Sequence, residues 1–117
     1  MSSNAQCLFC RIISGEIPAK KLHEDEDVVA FHDITPQAPT HLLVIPRKHI
    51  PSLDDMTQDD VTAIGATILR ATQLARDLHL EVDGYRLVVN NGPGAGQTVF
   101  HIHVHLLGGR QFGWPPG

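Results

Sequence analysis

Positive charge is scarce in this chain. Nine Lys and Arg stand against 13 Asp and Glu, for a net charge of −4, and the only basic runs are the pairs Lys20-Lys21 and Arg47-Lys48. That argues against a binder of duplex nucleic acid, because phosphate contacts along a duplex need a basic face. An anionic small molecule is not excluded, since a local site can hold one against the overall charge. No run of about 18 apolar residues occurs, so no membrane span is expected. The N-terminal MSSNAQ lacks the basic and apolar regions of a secretory signal. Cysteine is also sparse: Cys7 and Cys10 are too few and too close to make a disulfide framework, and a reducing, cytoplasmic setting is expected. Repeats, low-complexity segments and long linkers are all missing. With 42% hydrophobic and 19% charged residues, the chain reads as one domain over residues 1–117 with an ordinary core.

The patterning that is present predicts an α+β fold. Leu8, Phe9, Ile12 and Ile13 recur at helical spacing in CLFCRIISG (7–15), and Gly15 is placed to end that helix. LHEDEDVVAFHD (22–33) reads as a hairpin with an acidic turn from Glu24 to Asp27 and a strand carrying Val28, Val29 and Phe31. After the proline-bound loop ITPQAPT, the apolar HLLVIP (41–46) reads as a central strand. Thr57 followed by Asp60 resembles a capping box and opens the long helix, whose expected apolar stripe is Val61, Ile64, Ile68, Ala71 and Ala75 and which runs to about Leu78. YRLVVN (85–90) and VFHIHVHLL (99–107) are further strands, with NGPGAGQT (91–98) as a loop between them. The expectation is a mostly antiparallel sheet of about five strands, one long and one short helix, and an irregular tail from about residue 108.

FHIHVHLLGG (100–109) carries the chemistry. In a strand, residues two apart share a face, so His101, His103 and His105 are expected side by side, with Ile102, Val104 and Leu106 behind them in the core. A plain solvent face more often draws Thr, Lys, Glu and Ser. Two functional readings stay open at this level. The imidazoles could ligate a catalytic metal such as zinc, or one could be a nucleophile whose neighbours set its tautomer and move protons. The preceding loop favours the second. Gly92, Gly94 and Gly96 permit a backbone nest for an anion, and Asn90, Gln97 and Thr98 add side-chain donors.

These segments resemble a known family. HIHVHLL is similar to the signature of the histidine-triad (HIT) superfamily. FCRIISGEIPAK, AFHDITPQAPTHLLVIPRKHI, DGYRLVVNNGPGAGQTVFHIHVHLLGGR and the terminal WPPG resemble its Hint branch of nucleotide-binding proteins. The resemblance implies a HIT fold whose sheet continues across a homodimer. It also implies hydrolysis of purine nucleoside 5′-phosphoramidates, particularly those of AMP, through a nucleotidylated histidine and without a catalytic metal. By the same resemblance His103 is the nucleophile, His101 and His105 flank it, and His41 of THLLVIP supports them. Thr98 stands where many relatives carry serine beside the leaving group, keeping the hydroxyl and adding a methyl. Asp33 matches the carboxylate that accepts from the ribose hydroxyls, where from the residues alone an acidic strand end would suffice. Phe9, Ile12, Phe31, Ile34 and Leu43 would form the purine slot, though by periodicity they also read as core. Asn90, Gly96 and Gln97 complete the nucleotide contacts.

Cys7 and Cys10 are similar to a pair in other HIT branches that binds structural zinc with two histidines, which here match His49 and His101. In that case His101 is a ligand and leaves the catalytic group; otherwise the cysteines are small apolar residues on one helix. Within the superfamily, His105 speaks for hydrolysis, because the nucleotidyl-transferase branches commonly place glutamine there. Gly108-Gly109-Arg110 and WPPG favour the Hint branch over dinucleoside polyphosphate hydrolases. A non-catalytic nucleotide-binding partner protein is the alternative from another class, and binding alone needs no histidine at position 103.

Overall fold

The computed structural model describes residues 4–117; Met1–Ser3 of the polar N-terminal stretch lie outside the described residues. The elements are α1 (Leu8–Ile13), β1 (Lys21–Glu24), β2 (Val28–His32), β3 (Thr40–Pro46), α2 (Val61–Asp77), β4 (Tyr85–Val88) and β5 (Val104–Gly108). All neighbouring strands are antiparallel, in the order β1-β2-β3-β5-β4. The α+β, five-stranded expectation therefore holds, and no helix of the described residues is long and apolar enough to cross a membrane.

β3 is central, and its apolar run follows from being covered on both faces. On one face Val28, Ala30, Leu42, Val44, Val104 and Leu106 pack against Ala71, Leu74 and Ala75 of α2. On the other, Val29, Phe31, Leu43 and Ile45 pack against Cys7, Phe9, Cys10 and Ile12 at α1. His103 and His105 alternate with Val104 and Leu106, so they belong to the α1 face. The short helix roofs the site and the long one is remote from it.

Both helix starts follow their sequences. Cys7 caps α1, its Sγ accepting from Cys10 N–H at 3.3 Å, and Gly15 leaves the helix at φ +85°. Thr57 N–H donates to Asp60 Oδ2 at 2.9 Å and Asp59 N–H to Thr57 Oγ1 at 3.3 Å, closing a capping box on a 3₁₀ turn that leads into α2.

Two expectations are corrected. The buried stripe of α2 is Thr67, Ala71, Leu74 and Ala75, while Val61 and Ile68 are 53% and 42% exposed. Thr67 can take a core position because its hydroxyl donates to the Ala63 carbonyl at 2.8 Å. The strand expected over 99–107 forms only from Val104. β3 ends at Pro46, which has no N–H to continue a ladder, and Ile102 N–H donates instead to the Ile50 carbonyl at 2.7 Å.

Candidate active site

A cavity of about 500 Å³ opens beside α1 on the β2–β3–β5 face. Its polar wall includes Asp33, Asn90, Gly96, Thr98, His103 and His105, drawn from four separate stretches of chain. Its apolar wall includes Phe9, Ile12, Phe31 and Leu43; Ile34 also contributes but is 98% exposed and forms the rim. Leu8 and the Ile17–Lys20 segment line it too, without having been expected from the sequence, and so does His32, for which the sequence favoured a plain surface role over a place at the slot mouth. The signal for the segment was Ile17-Pro18, which fixes extended chain next to the helix that carries Phe9.

Hydrogen bonds fix the tautomers of the facing imidazoles. His103 Nδ1 stands 2.8 Å from the His101 carbonyl, which can only accept, so Nδ1 carries the proton and Nε2 is the bare, nucleophilic nitrogen. For His41, the Gln37 N–H donates to Nδ1 at 3.0 Å, so its proton is on Nε2. That N–H donates to His105 Nδ1 at 2.9 Å, with Asp33 Oδ2 3.4 Å away as a second acceptor. His105 in turn must carry its proton on Nε2. The two rings, with centroids 5.1 Å apart, thus offer opposite functions, one lone pair and one N–H. Phe9 meets His103 edge to face at 5.0 Å and limits its tilt. Asp33, His41 and His105 are close enough to suggest a metal site. The two ring nitrogens point at each other through a proton, however, which is a relay and not a chelate.

Burial keeps this group neutral. It lowers His41, His103 and His105 below the ordinary histidine value, and for His105 the neighbouring imidazoles add to the effect and bring it to about 4. The Asp33 charge opposes the shift at all three. At neutral pH the three imidazoles are uncharged.

The glycine loop is more self-contained than a phosphate nest. Gly92 and Gly96 have φ of +86° and +95°, as the turn requires. Yet the N–H groups of Ala95 and Gly96 donate to carbonyls within the loop, and those of Gly92 and Gln97 close a reciprocal pair with Gln97 Oε1 and Gly92 O. The Gln97 side chain is buried, its Nε2 donating to the Pro51 and Val99 carbonyls at 2.8 and 3.2 Å. Gln97, expected as a nucleotide contact, is instead the internal brace of the loop that presents Gly96 and Thr98.

His101 is also displaced from its expected place. It is fully buried and not on the cavity wall: it keeps to the α1 side of the sheet but lies beneath Cys7 and Cys10 at the start of that helix. Its Nε2–H donates to the Pro46 carbonyl at 2.8 Å, leaving Nδ1 bare. That nitrogen is 3.4 Å from Cys7 Sγ, 3.6 Å from Cys10 Sγ and 3.2 Å from His49 Nδ1, and Cys10 Sγ is 3.3 Å from His49 Nδ1. Two thiols and two imidazole nitrogens, all within 4.8 Å of one another, with one imidazole oriented from behind by a carbonyl, fit a closed tetrahedral Cys₂His₂ centre. Without a cation, burial lifts the Cys10 thiol to about 11, lowers His101 to about 4 and lowers His49 below the ordinary histidine value, so these three groups are uncharged at pH 7.

Comparison with known proteins agrees with this fold. The HIT domain family matches residues 14–112. An uncharacterized HIT-like protein of Synechocystis is 50% identical over 110 residues, covering 94% of this chain and 96% of the relative. The crystal structure of a HIT family hydrolase from Legionella pneumophila superposes with a TM-score of 0.93 at 55% identity, covering 95% of this chain and 99% of that one. A HIT family hydrolase from Clostridium thermocellum gives 0.91 at 42% identity, covering 95% and 96%.

Proposed function

Since this chain belongs to the HIT domain family, whose hydrolases bind nucleotides, we propose that it hydrolyses purine nucleoside 5′-phosphoramidates to the nucleoside monophosphate and an amine, as members of the Hint branch do. The observation that carries the reading is the opposite tautomers of two neighbouring rings, His103 with a bare Nε2 and His105 with an Nε2–H, both on one cavity wall.

In the first half-reaction His103 Nε2 attacks the α-phosphorus as the P–N bond breaks, and the amine departs with the bonding electron pair and takes a proton from solvent water. The positive charge that develops on the ring is stabilised through Nδ1–H by the His101 carbonyl. His105 Nε2–H and Asn90 donate to the phosphoryl oxygens, and Thr98 lies beside the leaving group. In the second, water attacks phosphorus as the bond to Nε2 breaks; its proton passes to solvent in place of the one the amine took, and the monophosphate leaves His103 with Nε2 bare again. Asp33 receives the ribose hydroxyls on Oδ2, since Oδ1 already accepts from Thr35 N–H at 2.7 Å. Phe9, Ile12, Phe31 and Leu43 hold the purine by its faces.

Cys7, Cys10, His49 and His101 would hold a structural zinc ion, which would fix α1 to the residues before β5 and take no part in turnover. His101 then acts through its main-chain carbonyl and through its place in that cluster. A homodimer would form through the outer edge of β4, which has no strand partner among the described residues. The whole chain would be the single domain, working in the cytoplasm, where its two buried free thiols stay reduced.

Rapid-quench mass spectrometry with an AMP phosphoramidate tests the reading. An adduct of AMP mass is expected on the peptide holding His103. Turnover at steady state with no adduct at any quench time would remove the covalent route.

A further inference from the structure

The loop between β2 and β3 supplies both Asp33 and the Gln37 N–H that fixes His41, and the chain after β5 grips that loop from outside. Arg110 donates from Nε to the Gln37 carbonyl at 2.9 Å and from a terminal nitrogen to the Gln111 carbonyl at 3.1 Å. Its guanidinium lies 4.3 Å from the centre of the Phe112 ring, which Arg86 of β4 also covers, at 5.1 Å. Arg86 donates to the Gly113 carbonyl at 2.9 Å, so the segment carrying Arg110 is itself held down. Gly109 leaves β5 at φ +92°, and a Cβ there would stand 2.9 Å from Pro39 Cβ, so the crossing is tight against the same loop. Arg110 and Phe112 are not on the cavity wall.

We propose that Arg110 is a positioning residue for the relay: by holding the Gln37 carbonyl it keeps the N–H of that residue on His41 Nδ1, and thereby keeps His105 in the tautomer that presents Nε2–H to the substrate. Pro36 and Pro39 flank the loop and have no N–H of their own to offer in place of Gln37. Once that donor drifts, His41 can carry its proton on Nδ1 and turn a bare Nε2 toward His105. His105 must then put its own proton on Nδ1 and face the phosphate with a lone pair. The phosphoryl group would meet two lone pairs in place of one lone pair and one donor. The groups that face His41 and share in this balance are Asp33 and His105, with His103 next beyond.

The activity arm of the test rests on the phosphoramidase reading; the spectroscopic arm does not. Uniformly ¹⁵N-histidine-labelled protein is compared at neutral pH, by long-range ¹H–¹⁵N correlation, as wild type, Arg110→Met and Arg110→Lys. Methionine keeps an apolar stem of similar length and removes every donor, whereas lysine keeps a cation able to reach the carbonyl. Wild type should show Nε2–H on both His41 and His105. Arg110→Met should show averaged shifts for both rings and a fall in kcat of about tenfold with a smaller change in KM, the scale of one hydrogen bond in the transition state. Arg110→Lys should recover part of each. Wild-type tautomers in Arg110→Met would overturn the proposal, as would a lowered kcat or melting temperature with the tautomers unchanged. If wild type itself fails to turn over the phosphoramidate, the function is misread, while the tautomer comparison still decides the role of Arg110.

Discussion

His101 and His105 lie four residues apart on one short stretch, yet they belong to opposite kinds of site. His101 sits fully buried in a cluster with Cys7, Cys10 and His49, and both of its own ring nitrogens are engaged within the protein. His103 and His105 open onto a cavity, each with one nitrogen tied to the protein and the other left for a ligand. The boundary between the two is Ile102, whose N–H is bonded to the Ile50 carbonyl two residues before β5 starts at Val104. A histidine's role here is decided by which of its nitrogens the backbone occupies and by where the ladder ends, and spacing of two tells neither.

The sharpest way to break this comparison is to remove one histidine from each side. His103→Ala should lower turnover by at least about 10³-fold, because no other side chain replaces a nucleophile. The melting temperature should barely move. His101→Ala should do the reverse. It empties a fully buried position and leaves the Pro46 carbonyl unpaired, costing about 3 kcal/mol and roughly 10 °C of melting temperature, with turnover per folded molecule much less affected. Thermal melts and single-turnover rates on the same preparations separate the two. If His101→Ala lost its chemistry while keeping its stability, the division drawn between the clusters would be wrong.

Cys10→Ser sharpens the closed side. Protein as purified should contain about one zinc per chain by elemental analysis, and the serine variant far less, with a melting temperature several degrees lower. Stripping wild type with a strong chelator should lower its melting temperature toward that of the variant, while turnover measured below the new transition persists. A metal-free wild type as stable as the untreated protein would reduce the four side chains to core packing.

Much of this was legible in the sequence because the relevant signals are local. β3 was readable as central from its continuous apolar run, α1 from four apolar residues closed by Gly15, and the capping of α2 from Thr57 and Asp60. The cavity wall was readable from matched motifs, since each of its segments is short and ordered in sequence. What could not be read depended on partners distant in the chain. Nothing near His101 says that Pro46 and Ile50 will take the hydrogen bonds a longer β5 would need. Gln97 offers donors to a ligand or to the protein equally, and the Pro51 carbonyl settles which. The stripe of α2 was misplaced because Thr67, a polar residue, satisfies its hydroxyl within the helix and takes a core position.

The open side has its own acid test. His105 is lowered to about 4 from an ordinary 6.5, so it binds fewer protons in the folded protein than in the unfolded chain between those values. The stability it contributes is complete above about 6.5 and is lost as pH falls toward 4. Activity follows the same sign, since protonating His105 Nδ1 destroys the acceptor for His41. Because His41 and His103 are lowered too, the acid limb of kcat/KM should lie below 6.5. A limb at the ordinary histidine value would mean that burial does not govern these rings.

The smallest effect, and the most discriminating, is expected from Asp33→Asn. The amide keeps an oxygen for Thr35 N–H but replaces Oδ2 with a group that cannot accept from ribose hydroxyls. It also puts a donor opposite His41 Nε2–H, 3.4 Å away, in place of an acceptor. Two consequences should separate kinetically. Losing the ribose contact should raise KM about five- to tenfold for the ribonucleotide substrate and leave a 2′,3′-dideoxy analogue almost unchanged, the scale of one or two hydrogen bonds. Disturbing His41 should lower kcat for both substrates alike, because the relay does not see the sugar. An equal rise in KM for both analogues would remove Asp33 from the ribose and leave it only as the second acceptor of the relay, moving it from the ligand's side of the open cluster to the protein's.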